Sequence, residues 1–201
     1  MGADGKKSRF YEETLPEGYR EALVIDAGNG KLMSGLRNAT MATNAVLFAA
    51  VFLVYAGPRM EEIAAGFSVL KCVGLVVAYF LYIILHELTH GAVYKLLTGK
   101  KLTFGLKPPV AYCGVPGIYA YRITAMSSLF APLTVFSAVL IAAFLAVGDP
   151  FTRLLILALF VLHLAGCVGD IYNIGLFLFR FRDAGTLRQD TGPGMIYYTK
   201  D

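Results

Sequence analysis

Residues 68–97 read SVLKCVGLVVAYFLYIILHELTHGAVYKLL, a run whose only charged side chains are Lys71, Glu87 and Lys95. A helix needs about 20 consecutive, mostly apolar residues to cross the hydrocarbon core of a bilayer, and this stretch exceeds that. Working outward, three further runs are of the same kind: about Ala42 to Gly57, the shortest, Ala125 to Val147, and Phe151 to Phe179. A chain that is 57% hydrophobic and only 16% charged, with its apolar residues gathered into such blocks, reads as an all-α membrane protein with about four transmembrane helices. Three regions follow: an N-terminal segment 1–40, a transmembrane domain 41–180 and a C-terminal tail 181–201.

The formal net charge of +4 raises the question of an anionic partner. Position answers it, because all Lys and Arg except Arg59, Lys71 and Arg153 fall in segments that four spans leave on one side. Such asymmetry follows the positive-inside rule. It predicts a multi-pass protein of the cell membrane with both termini cytoplasmic, the bilayer as partner and no nucleic acid. The polar, charged start predicts no cleavable signal peptide, so the first span acts as the insertion signal. Gly2 lacks the Ser or Thr at position six that myristoylation needs, since Lys6 stands there. Cys72, Cys113 and Cys167 are too few and too scattered for a disulfide framework and are read as thiols.

Between the second and third spans, Leu102 to Thr124 carries Pro108, Pro109 and Pro116 around two β-prone runs, Leu102 to Leu106 and Ile118 to Ile123. A short β-hairpin or re-entrant segment is predicted, at the interface or against protein, because lipid cannot satisfy its backbone. Thr98-Gly99-Lys100-Lys101 is helix-stop chemistry. Leu15-Pro16-Glu17-Gly18 predicts a turn before one short element, Gly57-Pro58-Arg59 the end of the first span, Pro132 a kink in the third, and Thr191-Gly-Pro-Gly194 a turn in the tail.

His86-Glu87-Leu88-Thr89-His90 is an H-E-x-x-H pattern inside the second span. Residues four apart share a helix face, so both imidazoles can reach one zinc ion at about 2.0–2.1 Å. Glu87 then stands beside the open position, where zinc brings the pKa of a water toward about 7 and a carboxylate can take its proton. Two imidazoles and a carboxylate in hydrocarbon cost on the order of a few kcal/mol per ionised group unless something binds them. A metal is the economical partner.

A catalytic zinc takes three protein ligands and keeps one position open. Of the 14 Asp and Glu, only Glu87 and Asp170 fall inside the expected spans. Asp170 lies as many residues before Arg180 as His90 lies before Lys100, which sets both at similar depth, about 15 Å of helix from the basic end. His163, on the same face but about 10 Å further out on a straight helix, competes if the helix is broken at Gly166. Cys167 is a weaker competitor, and Asn173 can orient substrate or stabilise an oxyanion.

At these residues the chain resembles the site-two protease class of intramembrane zinc proteases. It is more closely similar to a group of small, multi-span bacterial and archaeal zincin peptidases. The likeness is carried by Leu15-Pro-Glu-Gly-Tyr19, His86 to His90, Ala131-Pro132-Leu133 and Gly169-Asp170, of which the metal motif is the specific part. It implies His86, His90 and Asp170 as zinc ligands and Glu87 as catalytic base. Gly169-Asp170-Ile171 departs from the Leu-Asp-Gly surroundings usual for that aspartate in the site-two class.

The expected function is a membrane-embedded metalloprotease, performing intramembrane proteolysis on membrane-anchored or membrane-adjacent polypeptides. The hairpin would hold the unwound substrate as an added strand. The competing reading is a non-catalytic metal-binding membrane protein: a sensor, a carrier or a degenerate protease scaffold. Glu87 speaks against it, since a storage site needs no free carboxylate beside the ion. A proton-relay transporter fits poorly, as the sequence has no repeat symmetry.

Overall fold

The computed structural model describes residues 9–26, 30–107, 110–192 and 194–200. Gly2, Lys6, Lys7 and the prolines at 108, 109 and 193, which entered the sequence expectations, lie outside them. The fold is mostly helical. Among the described residues, four helices are long and apolar enough to cross a membrane: Gly30–Ala65, Val69–Thr98, Arg122–Ala146 and Pro150–Arg180. The chain divides into two compact units, one of residues 31–86 and 132–171, the other of 1–30, 87–131 and 172–201.

In the first unit, α1 (Gly30–Val51) begins well before Ala42: no proline stands between Lys31 and Thr40, and Gly35 weakens the helix without ending it. Gly57-Pro58-Arg59 does not end this helical path. A π turn at Phe52–Ala56 and a 3-10 turn at Gly57–Arg59 carry it into α2 (Met60–Ala65). Pro58 is tolerated in the opening turn, where its missing N–H costs nothing, and the Arg59 guanidinium donates to the Tyr55 carbonyl at 3.3 Å. Ala56, Ile63 and Phe151 form a core with Tyr55, Cys72 and Leu154, so Cys72 is a packing residue.

The same unit holds the first part of α3 (Val69–Thr98), the later part of α4 (Arg122–Ala146) and α5 (Pro150–Gly166). Pro132 lies inside α4, which stays helical through it. Asp149 caps α5, accepting from the Thr152 amide at 2.8 Å and from Lys71 Nζ at 2.7 Å.

The second unit contains what an all-α expectation omits. Five strands make an antiparallel sheet ordered β1-β5-β6-β7-β2, from β1 (Tyr11–Glu12), β2 (Tyr19–Asp26), β5 (Tyr119–Tyr121), β6 (Leu187–Asp190) and β7 (Gly194–Lys200). Of these strands the sequence marks β5, in the β-prone run from Ile118, and β2, as the short element after the Leu15-Pro16-Glu17-Gly18 turn. The sheet gains its order by pairing across great sequence distance, as where Tyr19 opposes Lys200.

The expected hairpin is present as a separate two-stranded sheet, but its partner strand differs. β3 (Thr103–Lys107) pairs with β4 (Val110–Gly114), whereas the run around Ile118 becomes β5 in the larger sheet. Thr98 and Gly99 stop α3 as expected: Gly99 takes φ +66, its amide bonds to the Lys95 carbonyl at 2.9 Å, and the Thr98 hydroxyl donates to the Tyr94 carbonyl. Tyr94, on the last turns of α3, packs with Val115, Ile118 and Ala120.

Lys71 and Thr152 hold the Asp149 carboxyl down at about 2, against about 3.9 for an unstructured Asp. A depressed carboxylate stabilises the fold fully above the unfolded value, and the contribution is lost as pH falls from about 4 to about 2. Thermal melts of detergent-solubilised protein should therefore show a steeper loss of midpoint across that window for the native chain than for Asp149→Asn. Coincident acid limbs would contradict the assignment.

Candidate metal centre

Four of the residues singled out by sequence stand together in the first unit. His86 on α3 places Nε2 3.2 Å from Asp170 Oδ2 on α6 (Val168–Gly175). Both side chains are nearly removed from water. Two donors bound to one tetrahedral zinc at 2.0–2.1 Å stand about 3.3 Å apart, so the observed separation suits a shared cation as well as it suits a direct ion pair.

His163, the expected competitor if the helix is broken at Gly166, also stands near His86. The fourth apolar helix has a one-residue irregularity there: α5 ends at Gly166, α6 starts at Val168, and Cys167 sits between them with ψ near 0°, its amide still bonded to the His163 carbonyl at 3.0 Å. Ligand atoms of His86, His163 and Cys167 all lie within 4.8 Å of one another. His163 and Cys167 are fully buried. Between the two imidazoles stands Tyr82, whose hydroxyl is 2.9 Å from His86 Nδ1 and 3.0 Å from His163 Nδ1.

Along α3 itself, His86, Glu87 and His90 form one turn, with their ligand atoms also within 4.8 Å of one another. The two imidazoles are buried and the Glu87 side chain is half-buried. In the second unit, His90 Nδ1 lies 2.9 Å from the Ser128 carbonyl of α4, and the Ser128 hydroxyl donates back to the His90 carbonyl at 3.3 Å. A carbonyl only accepts. Nδ1 of a neutral His90 therefore carries the proton, and Nε2 keeps the lone pair a metal requires. The turn thus offers two imidazole nitrogens and the Glu87 carboxylate within reach of one ion, a donor set that zinc accepts, and each ring's second nitrogen is engaged by protein.

Asn173 is held elsewhere. Its side-chain oxygen accepts from the Tyr197 hydroxyl of β7 at 2.6 Å, and burial pushes that phenol up to about 12, so it remains a donor. Cys113, on β4, is likewise kept as a thiol, raised to about 12 by burial and by the charges of Asp190 and Glu87.

Sequence reasoning missed Tyr82, Ser128 and Ser137, whose hydroxyl is 3.2 Å from His163 Nε2. For Tyr82 a signal existed, since it precedes His86 by four residues and so shares its face. The two serines come from another helix and leave no mark in local spacing.

Gly91 lets the hairpin meet α3 directly after His90. A Cβ there would stand 2.9 Å from Cys113 Sγ and 3.0 Å from a methyl of Leu102. Alanine in a helix is ordinarily favoured over glycine by up to about 1 kcal/mol, whereas overpacking costs about 1–3 kcal/mol. Gly91→Ala should therefore lower the thermal midpoint, and a raised midpoint would show that the hairpin does not lean on this position.

Residues 79–184, just over half of the chain, match the profile of a family described as "Putative zincin peptidase". The match takes in Tyr82, the H-E-x-x-H turn, the hairpin, α4 and Asp170. No curated protein and no solved structure matches the chain. The chain thus belongs to this zincin peptidase family, whose description is that of a zinc metallopeptidase.

Proposed function

We propose that the protein is a membrane-embedded zinc metalloprotease that hydrolyses peptide bonds of membrane-anchored or membrane-adjacent polypeptides near the cytoplasmic face. The observation that carries this reading is the 3.2 Å approach of His86 Nε2 to Asp170 Oδ2, beside a His90 whose proton is committed to Ser128. In this assignment His86, His90 and Asp170 hold the ion, leaving one position open. A bound zinc supplies Lewis acidity toward water and toward a peptide carbonyl. Glu87, the acidic neighbour on the same turn, takes the proton of the attacking water and returns it to the leaving amine.

Membrane insertion is supported by residues of the apolar helices such as Leu70, Phe80 and Val139, whose exposed side chains suit lipid. Topology agrees. β1 and β2 precede the first apolar helix, β5 lies between the second and third, and β6 and β7 follow the fourth. One sheet joins them all, so even numbers of crossings must separate them. The basic residues near these strands favour a cytoplasmic position for that side.

A substrate helix must unwind before its carbonyls are open to attack. Among the described residues, β3 and β4 each have one strand neighbour, which leaves edges on which an extended peptide can pair. The hairpin stands against Gly91, one residue beyond His90.

Purified protein in detergent, with metal measured by elemental analysis and cleavage of a labelled single-span peptide in the same micelles, tests the assignment. Glu87→Gln should keep about one zinc per chain and lose at least about a hundredfold in turnover. Undiminished cleavage, or no metal in the unaltered protein, would remove the protease reading. Zinc retained without cleavage in both forms would favour the sensor or carrier. Deleting residues 103–114 should abolish cleavage of the same peptide while zinc stays bound; full turnover would sink the substrate role of the hairpin.

A further inference from the structure

His86 turns its second nitrogen, Nδ1, toward a buried polar cluster that the proteolytic chemistry does not use. Its members lie in one unit: Tyr82 and His86 on α3, Ser137 on α4, and His163 and Cys167 at the end of α5. His86, His163 and Cys167 are spaced as an ion would need them, and two imidazoles with a thiolate are a ligand set that zinc accepts. The chain thus contains two overlapping donor sets that compete for one histidine.

The Tyr82 oxygen stands where the second set would hold its ion, about 3 Å from each of two imidazole nitrogens. Its ring is buried and packed on several sides. It packs edge-on against Phe136 at 5.2 Å, His163 at 5.5 Å and His86 at 5.6 Å. The hydrogen-bond sense is then fixed by His86. A neutral ring that gives Nε2 to a cation keeps its proton on Nδ1 and donates it to the Tyr82 oxygen. Tyr82 donates in turn to His163 Nδ1, which leaves His163 Nε2–H to donate to the Ser137 hydroxyl at 3.2 Å. Every link has one donor and one acceptor.

We propose that Tyr82 is a positioning residue for the metal centre: its hydroxyl orients His86 with Nε2 toward Asp170 and keeps an ion out of the His86, His163 and Cys167 trio. This rests on the assignment of His86, His90 and Asp170 as ligands.

Cobalt(II), titrated into the metal-free full chain in detergent, reads both parts. The unaltered protein should take one cobalt with no thiolate-to-cobalt charge-transfer band in the near ultraviolet. Tyr82→Phe, which keeps the ring and its packing, should still fold and melt cooperatively, with a midpoint lowered by the two buried imidazole nitrogens that lose their hydroxyl partner. It should bind cobalt at least about tenfold more weakly and acquire the thiolate band, which a further Cys167→Ser change removes. Weaker binding without the band would keep the orienting role and overturn the exclusion. Equal affinity with an unchanged spectrum overturns the proposal and leaves the metal assignment standing. A thiolate band in the unaltered protein that Cys167→Ser abolishes also overturns it, by putting the ion on the trio. No cobalt uptake by the unaltered protein removes the ligand assignment and the proposal with it.

Discussion

Charge taken out of water must be paired, and the apolar helices of this chain leave few places where it can be. An ionised carboxylate among apolar side chains is costly unless it is paired, and Asp170 meets this by facing His86. α5 and α6 meet at Cys167, and an aromatic ring is wedged against both imidazoles. The same constraint operates in the sheet-bearing unit, where Arg188 and Asp190 are both buried and meet at 3.0 Å. Removing one member of such a pair strands the other, so each is fixed by its partner.

Backbone polarity imposes a second demand. The segments outside the apolar helices are short, and none could satisfy its own N–H and C=O groups alone. The chain solves this by gathering strands from before, between and after the helices into one antiparallel sheet. Tyr197 of β7 then reaches back to Asn173 on α6, and Tyr94 of α3 joins the core beside β5. The last turns of α3 thus pack beside the sheet through Tyr94, and His90 is held at Ser128 by α4.

What was legible in the sequence divides along the range of the interactions. The apolar helices and the H-E-x-x-H turn are local patterns, and their periodicity reads directly. So does the Thr98-Gly99 stop, because capping chemistry lies within a few residues. The five-stranded sheet was missed because its order comes from pairing between residues such as Leu187 and Tyr198 or Tyr11 and Ala120, which no local window contains. The nearness of His163 to His86 was not legible because it comes from packing between two helices far apart in sequence. Tyr82 shares a face with His86, yet an apolar-looking tyrosine in a hydrophobic run reads as packing until a second imidazole is seen opposite it.

The pairing of β2 with β7 also sets an order of events during synthesis. The early strands leave the ribosome first but have no neighbours until residues 187–200 follow the last apolar helix. β1 must likewise wait for β5. Until the later strands are made these early segments stay unpaired, and their exposed edges invite chaperones or stray partners. The sheet can close only once its final strand has followed, so the turn bearing His90 gains its full support late in folding.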